Sequence, residues 1–258
     1  MNIIVCIKQV PDTTEIRMNK ETNTIVREGI ASIINPFDTY AIEESIRIKE
    51  KHGGEITAIS MGIPSVQELL KEAIALGVDN GVLLSDRAFA GSDTLATAYA
   101  LSMGIRKISK FDLIICGKQS TDGDTAQVGP SLAEKLGIPH TTNVRKIEEI
   151  RDGYIKCQRM IDNGYEIVEM SLPAVITVIK EINNPRLPSI KGVMRARQAT
   201  VNVWNAADVN ADKDLCGLNG SPTQVVETFV PTHEVNAEIF RGDTGQQAKK
   251  LVDKLLSI

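Results

Sequence analysis

A polar, glycine-containing loop that follows a short apolar run is the part of this sequence best suited to bind a phosphate. The apolar residues Leu113 to Cys116 predict a buried strand that ends at Gly117. Beyond the loop, Asp124 and Thr125 are residue types that begin helices, and the predicted helix runs to about Leu136. A strand, a polar turn and a helix N-terminus leave backbone N–H groups free at the carboxyl edge of a sheet, where phosphates bind.

The loop is longer than an ordinary connection between a strand and a helix, which has about 2–6 residues. An ordinary connection is the alternative interpretation, but the density of polar residues between Gly117 and Pro130 favours a nucleotide site. Two other predicted strands end at Cys6-Ile7-Lys8 and at Ser60-Met61-Gly62. Because ligands of parallel sheets bind at the carboxyl ends of strands, these three ends are expected to form one crevice.

Strands alternate with helices in the first half of the sequence. Val10-Pro11-Asp12 predicts a turn, and residues 17–27 predict a small hairpin. The alternation predicts an α/β fold with a doubly wound, mostly parallel sheet of the Rossmann-like, adenine-nucleotide-binding kind. The predicted strands cover residues 2–7, 55–61, 81–84 and 111–116, and the predicted helices cover 37–52, 64–76 and 92–107.

The second half of the sequence has a different pattern. Four strand-like segments with hairpin turns at Asp152-Gly153 and Asn163-Gly164 predict an antiparallel extension of the sheet. After residue 183 the pattern is irregular until a helix that begins near Thr244 and carries one apolar stripe. We therefore predict a nucleotide-binding α/β domain over 1–183 and a C-terminal arm over 184–258. The arm packs either on a partner or on its own domain.

Composition excludes several classes of protein. The net charge is −4 and aromatic residues make up 4%, which argues against nucleic-acid binding. The four cysteines lie far apart without a CxxC motif, so a metal site is not expected. No leader or membrane-spanning run is seen, which predicts a cytoplasmic protein. The sequence also lacks a GxGxxG motif after its first strand, a Walker A motif and a nucleophile–base pair, so it is expected to bind a nucleotide without transforming it.

Five segments in order resemble the β subunit of electron-transfer flavoprotein over nearly the whole chain. The match rests on their order, since each one alone is a weak signal. The segments are Val5 to Asp12, Asn35 to Asp38 with Ala41 to Glu44, Gly117 to Pro130, the stretch from Gln158 to Arg186 that contains Leu172 to Thr177, and Gly217 to Pro222.

This resemblance implies a heterodimer with an α subunit that carries the main FAD, while the β subunit holds a second nucleotide. In the housekeeping group of the family the second nucleotide is AMP, and in the electron-bifurcating group it is a second FAD. Thr125-Ala126 and Val128-Gly129-Pro130 resemble the bifurcating group. Arg186 to Gly192 also departs from the housekeeping form of the loop that recognises redox partners.

The nucleotide contacts of the family can be transferred to matching positions of this sequence. Cys6 is expected to contribute mainly its backbone, and Asp38 either accepts from a ribose hydroxyl or caps the following helix. The implied contact residues are Cys6, Asn35, Pro36, Phe37, Asp38, Met61, Gly117, Lys118, Gln119, Ser120, Thr121, Asp122, Gly123, Asp124, Thr125, Ala126, Gln127 and Val128.

The resemblance to the bifurcating group implies a redox function that also involves other proteins. NADH would reduce the flavin on this subunit, one electron would pass to ferredoxin or flavodoxin, and the other would pass through the α-subunit FAD to an acyl-CoA dehydrogenase. Within the family, the alternative is an AMP-binding subunit of a simple single-electron relay. An alternative from another class is a nucleotide-sensing module without redox function.

Overall fold

The computed structural model describes residues 1–12, 31–226 and 237–257, together with the backbone of residues 18–19 and 24–25. Its strands are β1 (Asn2–Cys6), β2 (Gln9–Pro11), β3 (Met18–Asn19), β4 (Thr24–Ile25), β5 (Ser32–Ile34), β6 (Glu55–Met61), β7 (Asn80–Leu84), β8 (Leu113–Gly117), β9 (His140–Arg151), β10 (Tyr154–Ile161), β11 (Gly164–Ser171), β12 (Ala174–Val178) and β13 (Val201–Trp204). Its helices are α1 (Pro36–His52), α2 (Val66–Leu76), α3 (Thr94–Ile108), α4 (Val128–Leu136), α5 (Ile190–Gln198) and α6 (Thr244–Leu256).

The contacts divide the chain into two compact units. The first comprises Met1–Glu15 and Arg27–Val226, and the second comprises Ile16–Val26 and Glu227–Ile258. The second unit contains α6 and the antiparallel pair β3–β4, which confirms the predicted hairpin within residues 17–27. The predicted domain boundary fell after residue 183, whereas in the structure residues 184–226 belong to the unit that contains the sheet.

A nine-stranded sheet is the centre of the first unit. Its strand order is β11-β10-β9-β12-β8-β1-β6-β7-β13, and every neighbouring pair from β9 to β13 is parallel. The chain starts at β1 in the middle and adds strands on both sides of it, which confirms the predicted doubly wound, mostly parallel α/β fold. The runs Ile3 to Cys6 and Leu113 to Cys116 are buried along their whole length, as expected for strands covered on both faces.

Helices cover both faces of the sheet. Ile42 of α1, Leu70 of α2 and Ala196 of α5 belong to the core on one face. Leu101 of α3 and Leu132 of α4 belong to the core on the other face. The small residues Ala98 and Ala100 on α3 are fully buried, which shows how closely this helix approaches the sheet. The two cores together fix the strands whose carboxyl ends meet at one edge of the sheet.

The antiparallel extension consists of β9, β10 and β11. Arg151 pairs with Tyr154, which confirms the turn at Asp152-Gly153. Ile161 pairs with Gly164, so the second turn contains residues 162 and 163, one residue earlier than predicted. The fourth strand of this region, β12, is not antiparallel but joins the parallel part between β8 and β9.

Two elements of the tail were missed by the sequence analysis. β13 pairs in parallel with β7 and forms one edge of the sheet, although only Val201 among its four residues is buried. α5 packs on α2, where Gly192 allows a close approach because a Cβ atom at this position would lie 2.0 Å from the Ala75 carbonyl oxygen. Both elements are short and mostly exposed, so the sequence gives little periodic signal for them.

The second unit contains the predicted C-terminal helix. It starts at Thr244, and the side chain of the preceding Asp243 caps it by accepting from the Gln246 amide at 2.9 Å. The cap is therefore Asp243 and not the predicted capping-box residue Thr244. The predicted apolar stripe lies on the exposed surface of the helix, at Leu251, Val252, Leu255 and Leu256. In the described part of the chain, no helix has the length and apolar character needed to cross a membrane.

The Arg195 guanidinium connects α5 to the end of α2, and this contact can be tested. Arg195 donates to the carbonyls of Ile74 at 2.6 Å and Val78 at 3.0 Å. We expect Arg195→Met to lower the free energy of unfolding by about 1–2 kcal/mol, because two carbonyls lose their charged donor. Arg197→Met on the same helix is the control and should change it by less than about 0.5 kcal/mol. Equal effects in urea unfolding would show that the contact contributes nothing.

Candidate nucleotide site

The carboxyl ends of neighbouring parallel strands lie together at one edge of the sheet. Cys6 at the end of β1 is in register with Ile59 of β6 and with Cys116 of β8. Gly117 at the end of β8 is in register with Val178 of β12. Segments that leave β1, β6 and β8 therefore start side by side, and the polar loop after Gly117 starts between β1 and β12.

A short antiparallel ladder brings the N-terminus of α1 to the same edge. Gln9 to Pro11 pair with Ser32 to Ile34, so the predicted turn at residues 10–12 is wrong and the chain continues as β2. Val10 is almost fully buried there, and this burial stabilises the extended conformation of the segment. The ladder places Asn35 beside Lys8, and the Asn35 amide donates to the Lys8 carbonyl at 2.9 Å.

The side chain of Asn35 holds the polar loop. It is 1% exposed, its Nδ2 donates to the Gln119 carbonyl at 2.8 Å, and its Oδ1 accepts from the Thr121 amide at 3.2 Å. The loop is thus attached to the residue that precedes α1, although 84 residues separate Asn35 from Gln119. Asn35 therefore acts through the loop, and its amide is engaged by the protein.

Asp38 is a buried carboxylate below the loop. Its Oδ2 accepts from the Lys8 amide at 2.8 Å, and it does not cap its own helix. Burial raises the pKa of Asp38 from 3.8 to about 7, although hydrogen bonds from Lys8, Asn35 and Gly117 each lower it. Asp38 is 6% exposed. It contacts Lys8, which follows β1, and Gly117 at the end of β8.

The predicted start of the helix after the loop is wrong. Asp124 and Ala126 have φ angles of +48° and +53°, which are incompatible with a right-handed helix. α4 begins only at Val128, and none of the side chains that the structure describes caps it. Asp124 is instead held inside the loop, because its amide donates to the Ser120 carbonyl at 2.9 Å and its carboxylate accepts from Gln119 Nε2 at 2.8 Å.

This backbone forms a concave set of free donors. Ala126 has positive φ, and Gln127 follows in the right-handed helical region with φ −102° and ψ −20°. Such an alternation turns successive N–H groups to the same side, which is a common anion-binding arrangement. Among the residues that the structure describes, the amides from Thr125 to Gly129 donate to no acceptor of the protein. The loop and the first turn of α4 therefore fit a phosphate group.

Two glycines allow close contacts at this edge of the sheet. A Cβ atom on Gly117 would lie 2.3 Å from Asp38 Oδ1 and 2.7 Å from the Phe37 carbonyl carbon. A Cβ atom on Gly129 would lie 2.4 Å from Thr177 Cγ2 of β12. Gly123 differs from both, since a Cβ atom there would meet only Ser120 Oγ at 3.3 Å and its φ is not positive.

The other predicted contact residues lie at the strand ends, in the first turn of α1 and in the polar loop. Cys6 and Cys116 are buried and their thiols contact each other, which raises the pKa of Cys116 together with burial and keeps this thiol neutral. Pro36 and Phe37 form the first turn of α1, and Met61 is the last residue of β6. Lys118 begins the loop, with its amide donating to the Val178 carbonyl at 2.9 Å. The side chains of Thr125 and Gln127 are exposed at the far end of the loop.

The sequence analysis placed Lys8 at one of the three converging strand ends but did not include it among the contact residues. Lys8 binds Asp38 through its amide and Asn35 through its carbonyl, and its ammonium group pairs with the carboxylate of Asp122. Its position directly after a buried strand, at the edge where the crevice was expected, was the available signal.

Comparisons with known proteins identify the family to which this chain belongs. The family model described as "Electron transfer flavoprotein domain" matches residues 22–209. The chain belongs to the electron transfer flavoprotein family. A protein of Thermoanaerobacterium thermosaccharolyticum named "Electron transfer flavoprotein subunit beta" is 51% identical over 258 residues, covering 100% of this chain and 98% of that protein. The predicted resemblance to the β subunit of electron-transfer flavoprotein is thereby confirmed.

Other relatives within the electron transfer flavoprotein family have different names. The "Caffeyl-CoA reductase-Etf complex subunit CarD" of Acetobacterium woodii is 44% identical over 257 residues, covering 99% of this chain and 98% of that protein. "Protein FixA" of Bradyrhizobium diazoefficiens is 42% identical over 262 residues, covering 99% of this chain and 91% of that protein. Relatives of this chain at similar levels of identity thus carry different names.

The close contact at Gly117 predicts a loss of stability in this flavoprotein subunit when a methyl group is added. We expect Gly117→Ala to lower the free energy of unfolding by about 1–3 kcal/mol, because the new Cβ atom must push the start of α1 away from β8. Gly123→Ala in the same loop is the matched control and should have little effect. Urea unfolding of both variants measures the difference, and a Gly117→Ala variant as stable as Gly123→Ala would contradict the close contact.

The buried Asp38 predicts a pH dependence of stability. Since the folded state raises the pKa of Asp38, it binds a proton more tightly than the unfolded state, and stability falls as pH rises from about 4 to 7. Asp38→Asn should remove this component, so that wild type loses up to about 1.4 kcal/mol per pH unit relative to the variant in this range. Unfolding titrations at several pH values measure the slope. Parallel pH profiles of the two proteins would contradict ionisation of Asp38 in this range.

Proposed function

We propose that this chain is the β subunit of a heterodimeric electron-transfer flavoprotein, and that it holds a second FAD in the crevice at the carboxyl edge of its sheet. In this role it takes part in flavin-based electron bifurcation in the cytoplasm. NADH is the donor, and the acceptors are ferredoxin or flavodoxin and, through the FAD of an α subunit, an acyl-CoA dehydrogenase. The observation that carries the proposal is the row of free amides from Thr125 to Gly129 in a chain of this family.

The residues of the crevice have separate tasks in this proposal. The free amides of the loop and of α4 hold the phosphates of the nucleotide. Asn35 and Asp38 keep the loop, β1 and α1 at fixed positions. Cys6, Phe37 and Met61 provide the less polar walls. When bound, FAD supplies the redox chemistry, because its ring accepts a hydride and releases electrons one at a time.

Two observations favour FAD over AMP at this site. The residues Thr125-Ala126 and Val128-Gly129-Pro130 match the pattern expected for the bifurcating group. CarD, a relative 44% identical to this chain, is named as a subunit of a caffeyl-CoA reductase-Etf complex. An AMP-binding subunit of a single-electron relay is the alternative, and the relatives named FixA indicate that members of the family act in more than one setting.

An exposed apolar segment supports docking of a protein partner. Leu187 and Ile190 are 89% and 84% exposed, and Met194 on the same segment is also exposed. Arg186 fixes the beginning of this segment by forming ion pairs with Glu43 and Glu50 on α1. A rigidly held apolar segment is suited to a redox partner, and we assign it to the acyl-CoA dehydrogenase.

Counting nucleotides tests the proposal. We expect the full heterodimer, purified with its α subunit, to carry two FAD and no AMP, because one site lies on each subunit. Ala126→Val should lose one FAD, since a β-branched residue resists the φ of +53° that the loop requires, whereas Ala126→Gly should retain both. Chromatography of the released nucleotides gives the counts.

The other outcomes separate the alternatives. One FAD and one AMP per heterodimer would support the single-electron relay and contradict bifurcation. One FAD with no second nucleotide would contradict a nucleotide site on this subunit. If two FAD are found but NADH leaves the flavin absorbance unchanged, NADH is not the donor.

A further inference from the structure

The backbone of Lys8 is held by hydrogen bonds, and its side chain reaches the polar loop. Its amide donates to Asp38 Oδ2 at 2.8 Å, and its carbonyl accepts from the Asn35 amide at 2.9 Å. The side chain beyond these two anchors is 49% exposed. The ammonium group can therefore change partners without any movement of the strand that carries it.

The partner of this ammonium group is Asp122, in the middle of the polar loop. Both carboxylate oxygens of Asp122 accept from Lys8 Nζ, across 114 residues of sequence. Burial alone would raise the pKa of Asp122, but hydrogen bonding and charge attraction from Lys8 lower it overall. The ion pair connects the end of β1 to the loop that carries the free amides.

The charges of the loop make this pairing important for an anionic ligand. Asp122 and Asp124 both lie in the segment that precedes the free amides, and carboxylates oppose a phosphate through charge repulsion. Asp124 is held by the neutral amide of Gln119 at 2.8 Å, whereas Asp122 is held by a cation. The diphosphate of FAD and the phosphate of AMP each carry close to two negative charges, and they attract an ammonium group more strongly than a single carboxylate does.

We propose that Lys8 is a direct ligand of the nucleotide phosphate, and that Asp122 holds its ammonium group across the crevice mouth until the nucleotide displaces it. This inference rests on the proposed nucleotide site and adds a specific residue and an exchange of partners to it. The ligand class is a phosphorylated adenosine, and the exchange makes Asp122 a competitor of the phosphate.

A double-mutant cycle tests the exchange. Calorimetry of the nucleotide-free full chain would measure binding of AMP and of adenosine, which lacks the phosphate. We expect Lys8→Met to weaken AMP binding about tenfold or more, because a charge-assisted hydrogen bond is lost, and to leave adenosine binding unchanged. Asp122→Asn should tighten AMP binding. Lys71→Met, which breaks a surface ion pair with Glu68 on α2, is the matched control and should bind AMP like wild type.

The double variant Lys8→Met/Asp122→Asn decides between a direct and an indirect role. If Lys8 binds the phosphate, AMP affinity stays about tenfold below that of Asp122→Asn alone. If the double variant binds AMP as tightly as Asp122→Asn, Lys8 only neutralises Asp122 and the inference is overturned. Should Asp122→Asn fail to fold, equal losses of AMP and adenosine in Lys8→Met overturn it instead. A wild-type chain that binds neither ligand would refute the nucleotide site itself and this inference with it.

Discussion

The buried hydrogen bonds of Asn35 and Asp38 are the constraint on which the site depends. The Asn35 side chain joins the residue that precedes α1 to the loop after β8, and Asp38 joins Lys8, which follows β1, to Gly117. The α1 N-terminus, the first strand and the polar loop are distant in sequence but become one rigid group through these two side chains. Both side chains are buried, so breaking their bonds would leave polar groups without partners.

The loop presents free amides because it is not helical. Asp124 and Ala126 adopt positive φ angles, which delays α4 until Val128 and leaves successive amides unpaired. Non-glycine residues adopt such angles at a cost of about 1–2 kcal/mol each. The contacts of Asn35 with Gln119 and Thr121 and the Lys8–Asp122 ion pair hold the loop in this conformation. A strained loop supported by its surroundings is typical of binding sites.

The strength of the local pattern explains which elements could be predicted. β6 was predicted with its exact bounds, and β1, β8 and α1 within one or two residues, because their apolar residues repeat regularly and all face a core. β13 was missed because only one of its four residues is buried. The start of α4 was misplaced because Asp124 and Thr125 are good capping residues by type, and only contacts with Ser120 and Gln119 draw Asp124 into the loop.

The sequence by itself determined the fold class, the family and which strand ends meet at one edge of the sheet. These features depend on local periodicity and on short motifs, which can be recognised without knowledge of long-range contacts. Only the tertiary structure revealed that Lys8 faces Asp122, that Asp38 is buried enough to raise its pKa to about 7, and that the amides after Thr125 are free. Each of these properties depends on groups brought together from distant parts of the chain, and charge, burial and backbone strain are set by such neighbours.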